Sequence, residues 1–314
     1  MKSENIKASI ILATREDHET LEECMSSLIS QDYEFKEFIV VIYEDDVLTR
    51  TIVKKYESFI DKLIVLKGED AAKGAVFSRK VGIDNSKGDV IFLAEGDGLY
   101  PKNWVSKNLR IFETDPEVVG VRNRIKIWYE KGLISQCLNI LGAILQDVHV
   151  FSRKAYEKIG GLDLNIKKGE LVDLGKRLER CGKVVFTPRI SWKHHRSDSF
   201  LQLFRKYVNE SRGYFAFFRK YPMYILAQVL LITFLCYVVF LNRFFLPLLF
   251  VLFYSIFLLR ASYKWYIILR ETNRVKALLL SPFVYLSFNV IALYIGLLKS
   301  LPEILMSKLK NRRS

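Results

Sequence analysis

At 314 residues and half hydrophobic in composition, the chain has room for one large domain or two ordinary ones. Its formal charge of +14 points first to nucleic acid, but much of the excess flanks long uncharged runs, and the first half holds no recognition motif or aromatic-basic stacking pattern. Four scattered cysteines (Cys24, Cys137, Cys181 and Cys236) lack zinc or disulfide-framework spacing, and neither a GxxxxGK[ST] string nor a dinucleotide fingerprint is present, so P-loop and redox-cofactor chemistry are set aside.

The N-terminus, MKSENIKASIILATRED, has a short apolar stretch followed at once by charges, which reads as a first strand rather than a signal peptide. Ala8–Ala13 is that strand. Leu21, Met25 and Leu28 recur at helical spacing over Thr20–Ser30. Phe38–Tyr43 and Leu63–Leu66 are further buried strands, Gly74–Asn85 a helix, and Val90–Leu93 a fourth strand ending where acidic residues begin. This alternation predicts βαβ units and a largely parallel sheet, with ligands at the carboxyl ends of its strands.

The second half changes character. Leu203–Pro222 places Phe204, Tyr207, Val208, Ser211, Tyr214, Phe215 and Phe218 at helical spacing opposite Arg and Lys, the pattern of a helix lying in a membrane interface (203–222). Met223–Leu241, Phe244–Leu259 and Ala277–Leu298 are runs of 19, 16 and 22 residues without Asp, Glu, Lys, Arg or His. A bilayer crossing needs about 20 apolar residues, so residues 223–314 are expected to be a membrane domain with helices over about 223–241, 244–262 and 277–300. Basic clusters before the first run, between the second and third, and after the third fit a cytoplasmic face meeting anionic lipid. A third full crossing would put the tail KLKNRRS outside, against the positive-inside rule, so the last run is open between a span and a re-entrant or interfacial helix. A cell-membrane, multi-pass protein with its soluble domain (1–202) on the cytoplasmic side follows.

Chemistry concentrates at Glu95-Gly96-Asp97, where a strand delivers two carboxylates two residues apart. Such a pair offers hard oxygen ligands suited to Mg²⁺ or Mn²⁺, which bind through one or two carboxylates plus substrate phosphates. A cation there would neutralise a diphosphate leaving group.

Four blocks, in order, resemble the family 2 glycosyltransferases of GT-A fold. They are ILATRED followed by SLISQDYEFKEFIVV; SRKVGIDNSKGDVIFLAEGDG; SRKAYEKIGGLD followed by GELVDLGKRLERCGKVVFTP; and SWKHHRSDS followed by RGYFAFFRKYP. The resemblance runs from about Ala8 to Tyr221. It implies a GT-A, Rossmann-like nucleotide-diphospho-sugar transferase domain with a mostly parallel central sheet, here followed by transmembrane α-helices. It implies an inverting enzyme that takes a sugar from a UDP- or GDP-linked donor. Ala13, Thr14 and Arg15 would line the base and ribose pocket with Glu44 or Asp45, and Arg79 would face the diphosphate. Asp97 falls at the metal-coordinating aspartate, and Glu95 stands where the family usually has Asp. His194 or His195 would be a further metal ligand or touch the leaving phosphate.

The main departure lies in GELVDL. The family places its general base, an Asp, directly after Glu170, and here that residue is Leu171. A hydroxyl acceptor needs a carboxylate within reach of its proton. Three solutions are open: Glu170 takes the role, Asp173 approaches, or the acceptor is already anionic, as a polyprenyl phosphate is. The last fits a membrane domain, where a lipid-linked acceptor is met. The rival readings are a non-catalytic scaffold of the same fold and a transporter subunit. Against the transporter, the uncharged runs hold no Asp, Glu, Lys, Arg or His to mark an ion path. No nucleic-acid partner is expected, and the sequence carries no sign of oligomeric state.

Overall fold

The computed structural model describes residues 6–127, 137, 147–195, 199–223 and 295. The chain divides into two compact units, Met1–Tyr129 with Leu145–His195, and Glu130–Ile144 with Arg196–Ser314.

The first unit is built on one eight-stranded sheet. Its parallel half consists of β1 (Ala8–Ala13), β2 (Lys36–Tyr43), β3 (Lys62–Leu66) and β4 (Val90–Ala94), in the spatial order β3-β2-β1-β4. These strands are runs of Ile, Val, Leu and Phe because helices cover both faces. Ile10 and Leu12 of β1 enter the core with Leu21, Met25 and Leu28 of α1 (Leu21–Ile29) and Trp104 of α5 (Trp104–Thr114). Ile11 points the other way, to Val76 and Ile83 of α4 (Ala75–Asp84) and Leu171, Leu174 and Leu178 of α7 (Glu170–Leu178). Each such side chain contributes about 1.5–3 kcal/mol on burial. The approach of α4 is tight: a Cβ on Gly82 would stand 2.3 Å from the Ile11 Cγ2.

Two short helices extend the parallel half at its carboxyl edge, α2 (Val47–Lys54) after β2 and α3 (Gly68–Ala72) after β3. Asp46 caps α2, accepting from the Thr49 N–H at 3.1 Å. The same carboxylate accepts from the Thr49 hydroxyl, the Glu16 N–H and a ring nitrogen of His18, which ties the end of β1 to α2.

The other half of the sheet departs from expectation. It comprises β5 (Gly98–Leu99), β6 (Val118–Ile127), β7 (Val150–Ser152) and β8 (Lys183–His194), in the order β4-β7-β6-β8-β5. The β4–β7, β6–β7 and β8–β5 pairs are antiparallel and β6–β8 is parallel, so the sheet is mixed, with four of its seven pairings parallel. The long β6–β8 ladder shifts register between Asn123 and Arg124, leaving residues 188–190 of β8 unpaired there. Pro188, which has no N–H to donate, falls in that bulge. After β7 the short α6 (Arg153–Lys158) is capped by Ser152.

In the second unit, the amphipathic segment is not one helix. Helix α8 (Phe200–Glu210), capped by Ser199, ends in a 3-10 turn (Ser211–Tyr214), and α9 (Phe215–Lys220) follows. The Ser211 hydroxyl donates to the Val208 carbonyl at 2.6 Å, a back-bond that competes with the helix ladder. Leu203, Val208, Phe217 and Phe218 are buried, while Leu201 and Met223 are exposed. Among the described residues no helix is long and apolar enough to cross a membrane. The helices expected over 223–241, 244–262 and 277–300 lie outside those residues, apart from Met223 and Ile295.

Candidate active site

Strand β4 ends at Ala94, and the next four residues turn, with the Gly98 N–H donating to the Glu95 carbonyl at 2.9 Å. Side chains from neighbouring elements hold this turn. The Cys24 thiol donates to the Glu95 carbonyl, the Thr20 hydroxyl donates to the Gly96 carbonyl, and the Glu95 N–H donates to the Tyr100 hydroxyl oxygen. Gly96 has no room for a side chain, since a Cβ would stand 2.4 Å from both Asp17 Oδ2 and Thr14 Oγ1. Beneath the turn, Tyr100 packs between Trp104 and Trp192, at ring separations of 4.4 and 5.1 Å.

The β5–β8 ladder pairs Gly98 with His194, and this brings the end of β8 to the acidic turn. His194 Nε2 lies 3.2 Å from Asp97 Oδ2 and 3.3 Å from Glu95 Oε2. One ligand atom each from Glu95, Asp97 and His194 fall within 4.8 Å of one another. The two carboxylates suit Mn²⁺ or Mg²⁺ and the imidazole nitrogen favours the softer Mn²⁺, so the residues fit the expected cation. Of the two histidines, His194 is the one whose ring is seen beside both carboxylates. His195 meets the turn through its backbone, donating its N–H to the Asp97 carbonyl at 2.8 Å.

Arg79, on α4, does not stand free to meet a diphosphate. It bridges two carboxylates, with Nη2 3.3 Å from Glu95 Oε1 and Nη1 ion-paired with Glu170. Glu170 opens α7 and is buried; burial raises its pKa above the usual carboxylate range, with Arg79 opposing. Leu171 packs into the core with Ile11, Phe151 and Leu174. The catalytic expectation for Asp173 is corrected. Its side chain is fully buried and takes two nitrogens of Arg177 at 2.8 Å, while Arg177 also donates to the Ile159 and Gly161 carbonyls. Asp173 thereby ties α7 to the Gly160–Gly161 turn, and its carboxylate is engaged by Arg177 rather than open to solvent.

The residues expected around the base and ribose come together at adjacent strand ends. Ala13 is half-buried, and the buried Thr14 donates its hydroxyl to Asp17 at 2.8 Å. Arg15 is exposed, ion-paired with Asp45 at 2.6 Å, and lies 4.8 Å from the Tyr43 ring centre. Glu44 is exposed and paired with Lys67 at 3.0 Å.

Three ionisable residues near the turn escaped sequence reasoning. Asp17 has its pKa pushed up to about 6 by burial and by the charges of Asp97 and Glu95. Asp147 is raised by burial. His149 is buried with Nε2 3.5 Å from Glu95 Oε1. Its Nδ1 lies 3.3 Å from the Asp147 carbonyl, which only accepts, so that nitrogen carries a proton. Burial disfavours the charged ring, but Glu95 outweighs it and raises the His149 pKa. Glu95 in turn is held well below the usual range: burial would raise it, and His149 and His194 reverse the sign. The available signal was thin, namely one of four histidines placed one residue before a short strand.

Residues 9–160 match the family model for glycosyl transferase family 2. The chain carries a glycosyl transferase family 2 domain. The family stretch covers Arg79, Glu95, Asp97 and His149, whereas Glu170 and His194 follow it in sequence. The chain is 25% identical over 118 residues to the glucosyl-dolichyl phosphate glucuronosyltransferase of Haloferax volcanii, covering 37% of each chain. It is 24% identical over 127 residues to glycosyltransferase AglE of the same organism, covering 40% of this chain and 41% of that one. The similarity thus spans about two fifths of the length of these relatives. Among solved structures, the mannosyltransferase PcManGT of Pyrobaculum calidifontis, in complex with GDP-Man and Mn²⁺, is 15% identical with a TM-score of 0.55, over 91% of this chain and 88% of that one. That likeness supports a GT-A-like fold for the mixed sheet.

Proposed function

We propose that this chain is a membrane-bound glycosyltransferase that moves a sugar, with inversion, from a nucleotide-diphosphate donor to a lipid-linked acceptor, and that the attacking group is an anionic phosphate such as that of a polyprenyl phosphate. The observation that carries the reading is that a carboxylate–histidine cluster able to hold a cation stands beside candidate bases that are all core or ion-paired. Leu171 is core, Asp173 is bound to Arg177, and Glu170 is bound to Arg79. A phosphate oxygen carries its own charge and needs no proton removed.

In this reading Glu95, Asp97 and His194 hold Mg²⁺ or Mn²⁺, which when bound offsets the charge of the departing diphosphate. Ala13, Thr14 and Arg15, with Glu44 or Asp45, receive the base and ribose. Arg79, already desolvated beside the site, exchanges Glu170 for the diphosphate, as a fixed guanidinium suits phosphate oxygens. The name of the Haloferax glucuronosyltransferase, with its dolichyl phosphate-linked glucose, supports a lipid-linked acceptor. The uncharged runs after residue 222 and their basic flanks support a membrane location with the transferase domain on the cytoplasmic side.

One observation favours a second reading. The raised pKa of Glu170 suits a general base, and release from Arg79 would free it to deprotonate a sugar hydroxyl. Purified full-length protein, supplied with Mn²⁺ and radiolabelled UDP- and GDP-sugars, separates the two. Transfer to polyprenyl phosphate that persists in E170Q supports the phosphate acceptor. Transfer only to glycosylated lipid, abolished in E170Q, supports the hydroxyl acceptor. Absence of both transfer and donor hydrolysis across the panel favours a non-catalytic scaffold.

A further inference from the structure

Glu95 is gripped from two sides. Its Oε1 faces Arg79 Nη2 at 3.3 Å and His149 Nε2 at 3.5 Å, while its Oε2 faces His194, the nitrogen that also meets Asp97. His149 is only 2% exposed and is itself fixed. The Leu93 N–H donates to its carbonyl at 2.8 Å, and the edge of Trp192 lies against its ring at 5.3 Å. Its Nε2 is buried and makes no hydrogen bond in good geometry, and it stands at ion-pair distance, 3.5 Å, from Glu95 Oε1.

A carboxylate presents one oxygen to a cation reproducibly only when its other oxygen is held. We propose that His149 is a positioning residue that, with Arg79, holds Oε1 of Glu95 so that Oε2 is presented toward Asp97 and His194 for a divalent cation. The inference rests on the cation-site reading. It also gives the length of Glu95 a reason: an aspartate, shorter by one C–C bond of about 1.5 Å, cannot hold the Arg79–His149 side and face His194 together.

The test is Mn²⁺ affinity of the full-length chain, measured by calorimetry and by paramagnetic resonance of free Mn²⁺, with Mn²⁺ alone and with UDP or GDP added. His149→Phe keeps a ring against Trp192 and removes the nitrogen; His149→Gln restores a nitrogen near the Nε2 position. His149→Phe and Glu95→Asp are each expected to weaken Mn²⁺ about tenfold or more. His149→Gln should recover most of the loss, and His149→Phe should add less than about twofold in the Glu95→Asp background, because coupled sites are non-additive. A wild-type chain that binds no Mn²⁺ under any condition overturns the cation site itself. Wild-type binding with undiminished affinity in His149→Phe overturns the role of His149 alone. Should His149→Phe not fold by circular dichroism, Glu95→Asp decides, and wild-type affinity in that variant overturns the inference.

Discussion

Replacing Arg79 by Met keeps length and removes charge at a residue that joins the acidic turn to α7. The loss falls on Glu170, whose side chain is 8% exposed and whose pKa is already raised by burial. An unpaired buried carboxylate escapes by taking a proton, and that escape sets a ceiling. Holding protonated a group of ordinary pKa, about 4.3, costs about 3.7 kcal/mol at pH 7 and about 1 kcal/mol at pH 5. Part of that cost is present in the wild type, so R79M should destabilise by about 2–3 kcal/mol at pH 7, below the 3–5 kcal/mol typical of a broken buried pair. The sign follows from linkage. A carboxyl with a raised folded pKa binds protons more tightly in the native state, so stability falls as pH rises above its unfolded value. The R79M deficit should therefore grow between pH 5 and pH 7, and R79M/E170Q should recover at least half of it. Urea unfolding of the full chain, followed by the fluorescence of buried Trp104 and Trp192, measures this. A deficit independent of pH and unrelieved by E170Q would refute the Arg79–Glu170 pairing.

Asp46 titrates in the opposite sense. Burial would raise its pKa, but hydrogen bonds from Thr49, Glu16 and His18 hold it well below the usual range, so its contribution is full above about pH 4 and lost as pH falls further. D46A should cost about 2–3 kcal/mol at pH 7, from a lost cap and charged hydrogen bonds, and the gap to wild type should narrow in acid unfolding curves. G82A should destabilise by about 1–2 kcal/mol despite the better helix propensity of Ala, because its Cβ drives into Ile11; an increase in melting temperature would contradict the packing. D97A should abolish Mn²⁺-dependent turnover with an unchanged circular-dichroism spectrum, and persistent activity would remove Asp97 from the cation site.

The parallel half of the sheet was legible in the sequence because β1, β2 and β4 are buried on both faces and must be continuous apolar runs. The other half was not. Strand β5 is two residues long, β7 is three, and β8 mixes Lys, Arg and Pro with its apolar residues, so no period of two announces them. The acidic turn was visible as a motif, and the β5–β8 ladder then decided which histidine joins it. Residue partnerships were beyond reach. Nothing local distinguishes an Arg79 free for phosphate from one shared by Glu95 and Glu170, and Asp173 differs from a candidate base only in lying one helical turn from Arg177.

The crowding at Gly96 has a thermodynamic corollary. Thr14 and Asp17 occupy the space a side chain would need, so the loop proposed to meet the nucleoside and the turn proposed to hold the cation pack directly against each other. A ligand that stiffens one is expected to stiffen the other, and such coupling is reciprocal: the factor by which nucleoside tightens cation binding equals the factor by which the cation tightens the nucleoside. The coupling should therefore survive with uridine or guanosine, which have no phosphate for the cation to bridge.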